Sequence, residues 1–198
     1  VGVRKNNFLF FIMLSELREE LLSLANQEKA VSSAWFFKTG KGEYGEGNKF
    51  LGVSVPEQRK LAKKYKDLPL ENIQTLLDSE FHEERLAALF ILVSQFEKGS
   101  LEKQEKIVNF YLRNAKRVNN WDLVDSSAHK ILGPYLIDKD KSILYKLAQS
   151  DNLWEKRISV ISTFYFIKHE QYEDSLKISK LLLDDKHDLI HKAVGWML

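Results

Sequence analysis

The sequence predicts an all-α fold: a curved solenoid of stacked antiparallel helical pairs. Three observations carry that expectation. Long segments place apolar residues at intervals of three and four, the period of an amphipathic helix. No segment shows the strict alternation of a half-buried strand. Proline is confined to Pro56, Pro69 and Pro134, so little interrupts the helices.

The elements follow in order. LSELREELLSLANQE sets Leu14, Leu17, Leu21 and Leu24 on one stripe. AWFFK closes a helix ahead of the glycine-rich stretch GKGEYGEGNKF. SVPEQRKLAKKYK begins with Ser54 and Glu57 at capping-box spacing, with Pro56 in the first turn, where a missing N–H breaks no helical bond. LENIQTLLDS, FHEERLAALFILVSQFEK, LEKQEKIVNFYLRNA, NNWDLVDSSAHKIL, KSILYKLAQ, LWEKRISVISTFYFIK, YEDSLKISKLLLDD and DLIHKAVGWML each read as a helix, with Gly99 and Gly133–Pro134 as stops.

Within each pair a polar, leucine-dotted helix precedes a more apolar one that opens with aromatic and charged residues. EERLAALF, WDLVDSSA, WEKRISVI and IHKAVGWM recur at about 35 residues, a period of stacked HEAT-like repeats (an α–α superhelix). Such stacking buries a continuous core and leaves an extended concave surface lined by the second helix of each pair. An irregular helical bundle is the plainer alternative.

A chain of 198 residues suffices for one sizeable core. The expected organisation is a single domain over residues 13–198, with Met13 as the natural start and residues 1–12 as an upstream extension. The apolar run FLFFIML is too short to span a bilayer, and SELREELL follows without a small-residue cleavage site, so no membrane association is expected. Thirty basic and 28 acidic side chains leave a net charge of only +2. Binding to a polyanion would require the cations to be segregated on one face.

The absence of cysteine excludes disulfides, thiolate metal sites and a cysteine nucleophile, and suits a cytoplasmic location. The histidines are scattered. Only His187 and His191 share i,i+4 spacing, without the glutamate of a zinc-binding H-E-x-x-H, so they read as surface or capping residues. Neither a metal nor a cofactor is expected.

GKGEYG, residues 40–45, matches G-x-G-x-x-G. A dinucleotide turn needs a strand before it and a helix directly after. Here a helix end precedes, no helix begins before Ser54, and Glu43 and Glu46 crowd any pyrophosphate. The stretch is expected to be a connector, with Lys41 and Lys49 as candidate phosphate contacts.

The chemistry centres on NNWDLVD. Trp121 and Asp125 lie four apart and project from one helix face, and Asn119 or Asn120 can cap that helix. Alone, the pair also fits a core tryptophan and an acid near the positive end of the helix dipole. NLWEKRIS adds Arg157 near the start of the corresponding helix in the next pair, and KAVGWML adds Trp196 in the pair after that. In a stacked array, Trp121, Asp125, Arg157 and Trp196 face one groove. Arg85, Lys156 and Lys192 lie near equivalent helix starts and are candidate backbone contacts for a nucleic acid.

FFKTGKGEYGEGNKFLGVSVPEQRKLAKKY, then NNWDLVD, NLWEKRI and DLIHKAVGWML, in that order and spacing, resemble the HEAT-like-repeat DNA alkylation repair glycosylases. The resemblance runs from about residue 30 to the last residue. It implies a solenoid that binds duplex DNA on its concave face and excises cationic alkylated purines such as 3-methyladenine and 7-methylguanine. It further implies Trp121, Asp125 and Arg157 as the catalytic trio, with Arg157 on a phosphate flanking the lesion. Trp196 then becomes a second groove-facing tryptophan. The base would be excised while the duplex backbone is held, without being buried in a pocket, by a monomer. Members of that family continue for at least one more helical pair, so this chain reads as truncated after Trp196-Met197-Leu198. A non-catalytic relative that recognises DNA structure, and a protein-binding scaffold, are the other readings.

Overall fold

The computed structural model describes residues 2–198, with side chains from residue 10 onward. The expectation for residues 1–12 falls mostly outside those side chains. The architecture is all-helical. Among the described residues no strand forms, and Lys49 and Phe81 share one isolated bridge. None of the described helices is long and apolar enough to cross a membrane. The helices gather into two compact units, one ending at Lys98 and the other spanning Gly99–Leu198.

The first unit holds α1 (Gly2–Ser23), α2 (Gln27–Phe36), α3 (Val55–Lys64), α4 (Leu70–Leu77) and α5 (His82–Glu97). Its core is α5, on which α3 and α4 pack and which also meets α1. Leu14, Leu17 and Leu21 of the expected stripe are buried, whereas Leu24 falls beyond the end of α1 and is exposed. Arg18 Nε and Nη2 donate to Glu84 Oε2 at 3.0 and 2.9 Å, tying α1 to α5. The start of α3 is capped as its sequence predicts: Glu57 Oε2 accepts from Ser54 N at 3.1 Å and from Ser54 Oγ at 2.6 Å.

A buried carboxylate organises the segment before α3. Glu83, at the start of α5, accepts from the amides of Leu51 (3.0 Å), Gly52 (2.8 Å) and Val53 (3.4 Å). Three successive N–H groups converging on one acid form an anion-binding concavity filled from within the protein. Gly52 is required here, because its φ is +80° and a Cβ would lie 2.2 Å from Asn26 O.

The second unit holds α6 (Leu101–Arg113), α7 (Trp121–Leu136), α8 (Ser142–Ala148), α9 (Leu153–Ser162), α10 (Phe164–Ile167), α11 (Glu173–Leu181) and α12 (Asp188–Met197). α9 is central, touching α7, α8, α10, α11 and α12. Gly99 ends the preceding helix as expected, and Ser100 caps α6 by accepting from Lys103 N at 3.4 Å.

Two departures from the sequence reading occur in this unit. α7 runs through Gly133 and Pro134 to Leu136. Pro134 sits in the last turn, where its missing N–H removes a single helical bond. Gly133 serves close packing instead of termination, since a Cβ there would lie 2.4 Å from Tyr165 Cβ. The stretch LWEKRISVISTFYFIK divides into α9 and α10 at Thr163. Ser162 Oγ donates to Ile158 O at 2.6 Å and Thr163 Oγ1 to Val160 O at 2.7 Å, side-chain bonds that bend a helix.

Candidate active site

Asn120 starts the site. It is fully buried, and its Oδ1 accepts from Trp121 N at 2.8 Å, fixing the first turn of α7. Trp121 and Asp125 follow one turn apart, both half-buried. α9 then brings Arg157 across. Its Nε donates to Asp125 Oδ1 at 3.0 Å and its Nη2 to Oδ2 at 2.8 Å, a two-pronged charge-assisted pair. The remaining arm, Nη1, donates to the carbonyl of Leu189 in the first turn of α12. One guanidinium thus joins three helices.

The exposures of the two partners differ. Arg157 is only 5% exposed, whereas the Asp125 side chain retains 20% of its surface. Burial raises the pKa of the Asp125 carboxyl above its ordinary value, and the hydrogen bond and charge of Arg157 oppose that rise. A carboxylate has about four lone-pair directions, and Arg157 takes two. The open edge can meet a cation or a water.

One turn beyond Asp125 lies His129. Its ring meets Phe164 edge-on, with centroids 5.4 Å apart, and Phe164 lies 5.1 Å from Trp196 at a tilt of 38°. Trp196 is half-exposed. The Lys168 ammonium sits 4.4 Å over the Phe164 ring. Burial, followed by the charges of Lys130 and Lys168, pushes the His129 pKa down to about 4, so the imidazole is neutral at pH 7.

The residues expected to contact DNA divide sharply. Arg157 is not a surface cation, because all three of its nitrogens already donate within the protein. Arg85 departs further from expectation. It is 4% exposed, and it donates to Ser79 O at 2.7 Å and to Asn48 Oδ1. Both arginines open helices whose first turns are covered by neighbours, which turns a presumed rim position into an interior one. Lys192 is exposed and pairs with Asp188 at 2.9 Å. Lys156 pairs with Asp185 at 2.7 Å. Lys41 and Lys49 of the first unit are exposed, Lys49 being paired with Glu80 at 2.9 Å.

The glycine loop satisfies its own donors. Gly40 N donates to Glu43 Oε2 and Gly42 N to Glu46 Oε2, each at 2.8 Å. The amides that a phosphate would need are occupied by carboxylates, which agrees with a connector. His187 acts as the N-cap of α12, its Nδ1 accepting from Leu189 N at 3.2 Å.

Sequence reasoning passed over His129, Phe164, Lys168 and the Leu189 carbonyl. His129 had a signal: it continues the 121–125 ladder by another four residues. Phe164 and Lys168 had none, because their approach depends on the bend at Thr163.

Comparison with known proteins gives the family. Residues 17–198 match the model of a family described as DNA alkylation repair enzyme. The chain belongs to that family. Among solved structures, a predicted DNA alkylation repair enzyme from Enterococcus faecalis superposes with a TM-score of 0.62 at 18% identity, covering 87% of this chain and 81% of that one. At that identity the likeness concerns the fold. No curated protein sequence matches the chain. The family assignment accords with the order of FLGV, NNWDLVD, NLWEKRI and KAVGWML along the chain.

Proposed function

We propose that the protein is a monofunctional DNA glycosylase. It hydrolyses the N-glycosidic bond of cationic alkylated purines, such as 3-methyladenine and 7-methylguanine, in duplex DNA. The observation that carries this reading is the Asp125 carboxylate, fixed on both oxygens by a buried arginine yet open on one edge, one helical turn from Trp121.

The chemistry follows from charge. A base alkylated at a ring nitrogen is already positive and needs no protonation to leave. As the bond lengthens, positive charge moves onto the deoxyribose. A preorganised carboxylate stabilises that oxocarbenium character, as in glycoside hydrolysis, and orients the water that captures it. Arg157 keeps Asp125 ionised and aimed, against the effect of burial. It therefore acts as a positioning residue rather than as a phosphate ligand. The indoles of Trp121 and Trp196 offer π faces to the cationic base or sugar, worth about 0.5–2 kcal/mol per contact.

The test is single-turnover release of 7-methylguanine from methylated duplex DNA. The parent chain releases the base, and Asp125→Asn slows release by about 100-fold or more, the scale for removing one preorganised electrostatic group. Duplex binding without release by the parent chain supports the non-catalytic DNA-recognition reading instead. Equal rates for parent and variant remove Asp125 from the mechanism.

A further inference from the structure

The engagement of Arg157 leaves a vacancy in the expected site. A glycosylase acting on duplex DNA must hold the backbone near the lesion, and the arginine expected to do so is buried against Asp125 and Leu189. The neighbouring cations are also compensated. Lys156 pairs with Asp185, and Lys192 with Asp188.

Lys168 differs. It is exposed, and among the described residues no carboxylate forms an ion pair with it. Its ammonium rests 4.4 Å over Phe164, a contact that places the charge while leaving its N–H groups for another acceptor. The same phenyl ring touches Trp196 and His129, and His129 stands one turn from Asp125 on α7. Lys168 is therefore linked through a single ring to His129, one turn from the carboxylate, and to the half-exposed Trp196.

We propose that Lys168, seated on Phe164, is the cation that holds a DNA phosphate beside the Asp125 site, the role expected of Arg157. The depressed basicity of His129 agrees with this placement: after burial, the charges of Lys130 and Lys168 are what lower it. The Lys168 ammonium beside a half-buried imidazole adds positive charge at which a phosphate relieves repulsion. Phe164 is then a positioning residue for both Lys168 and Trp196. The inference rests on the glycosylase reading for its choice of DNA as the anion.

The experiment measures binding of a labelled, unmodified duplex across a potassium chloride series, for the parent chain, Lys168→Gln and Lys168→Arg. Each phosphate neutralised contributes about 0.9 to the slope of log K against log salt. Lys168→Gln is expected to flatten the slope by about that amount, and Lys168→Arg to keep it. An unchanged slope in Lys168→Gln overturns the assignment, as does an equal loss in both variants, because the role would then not be one of charge. Base release by the parent chain is scored separately. Release with an unchanged Lys168→Gln slope sinks this assignment alone. A flattened slope in a chain that releases no base supports the phosphate contact while the glycosylase reading fails.

Discussion

Replacing Arg157 with methionine separates two roles that one arginine could have. Methionine keeps most of the aliphatic volume and removes every donor. Asp125 then loses both charge-assisted bonds in a site where Arg157 was 5% and Asp125 20% exposed. Breaking a buried pair by removing one partner costs about 3–5 kcal/mol. The residual exposure of Asp125 favours the lower end, and the lost bond to Leu189 O adds to it. For a chain of this length, about 2–4 °C of Tm accompanies each kcal/mol. The expected fall is therefore about 6–20 °C, read by circular dichroism melting. In Arg157→Met combined with Asp125→Asn the uncompensated charge is gone, so part of that loss returns while base release does not. The contrary result is specific: a Tm within about 2 °C of the parent, together with a salt slope of DNA binding flattened by about 0.9. That outcome makes Arg157 a phosphate ligand and refutes the positioning role.

Other consequences can be checked on the same material. Gly52→Ala places a Cβ 2.2 Å from Asn26 O and 2.7 Å from Ala30 N at a φ of +80°, so a loss above about 3 kcal/mol is expected in urea denaturation. Gly42→Ala, at φ +79° with no atom within 4 Å, should cost only about 1–2 kcal/mol, and equal costs would mean that the clash relaxes. The depressed pKa of His129 implies that stability is unaffected above about pH 6.5, the unfolded value. It then falls as pH drops towards about 4, because only the unfolded chain takes up the proton. With the ring partly exposed, screening reduces the loss to the order of 1–2 kcal/mol. Asp125, with its raised pKa, works in the opposite sense over the acid range, so the difference between parent and His129→Phe isolates the histidine. A difference independent of pH would remove the titration.

Much of the fold can be read from periodicity and punctuation. The Ser54–Glu57 box, the stop at Gly99 and the continuous apolar run of α5 are local properties, visible within a turn or two of chain. The co-facing of Trp121 and Asp125 is likewise a consequence of helical spacing. What the residues could not disclose is which charged side chains are covered. Arg85, Arg157 and Lys192 occupy similar positions near helix starts. Two of them are interior because Asn48 and Ser79, or Asp125 and Leu189, arrive from elsewhere in the chain. Gly133–Pro134 misleads for a related reason: a glycine demanded by Tyr165 across a helix contact looks, in sequence, like one that ends a helix.

The connection between α2 and α3 is held in two ways, with different dynamic consequences. At Gly40 and Gly42 the amides are bound by the exposed glutamates Glu43 and Glu46, three and four residues away. Those bonds open by local fluctuation of the loop. At Leu51, Gly52 and Val53 the amides are bound by Glu83, two helices later, in the first turn of α5. They can exchange with solvent only when the start of α5 itself lets go. A single loop is thus divided between two cooperative units, one half fluctuating freely and the other sharing the opening free energy of the core helix.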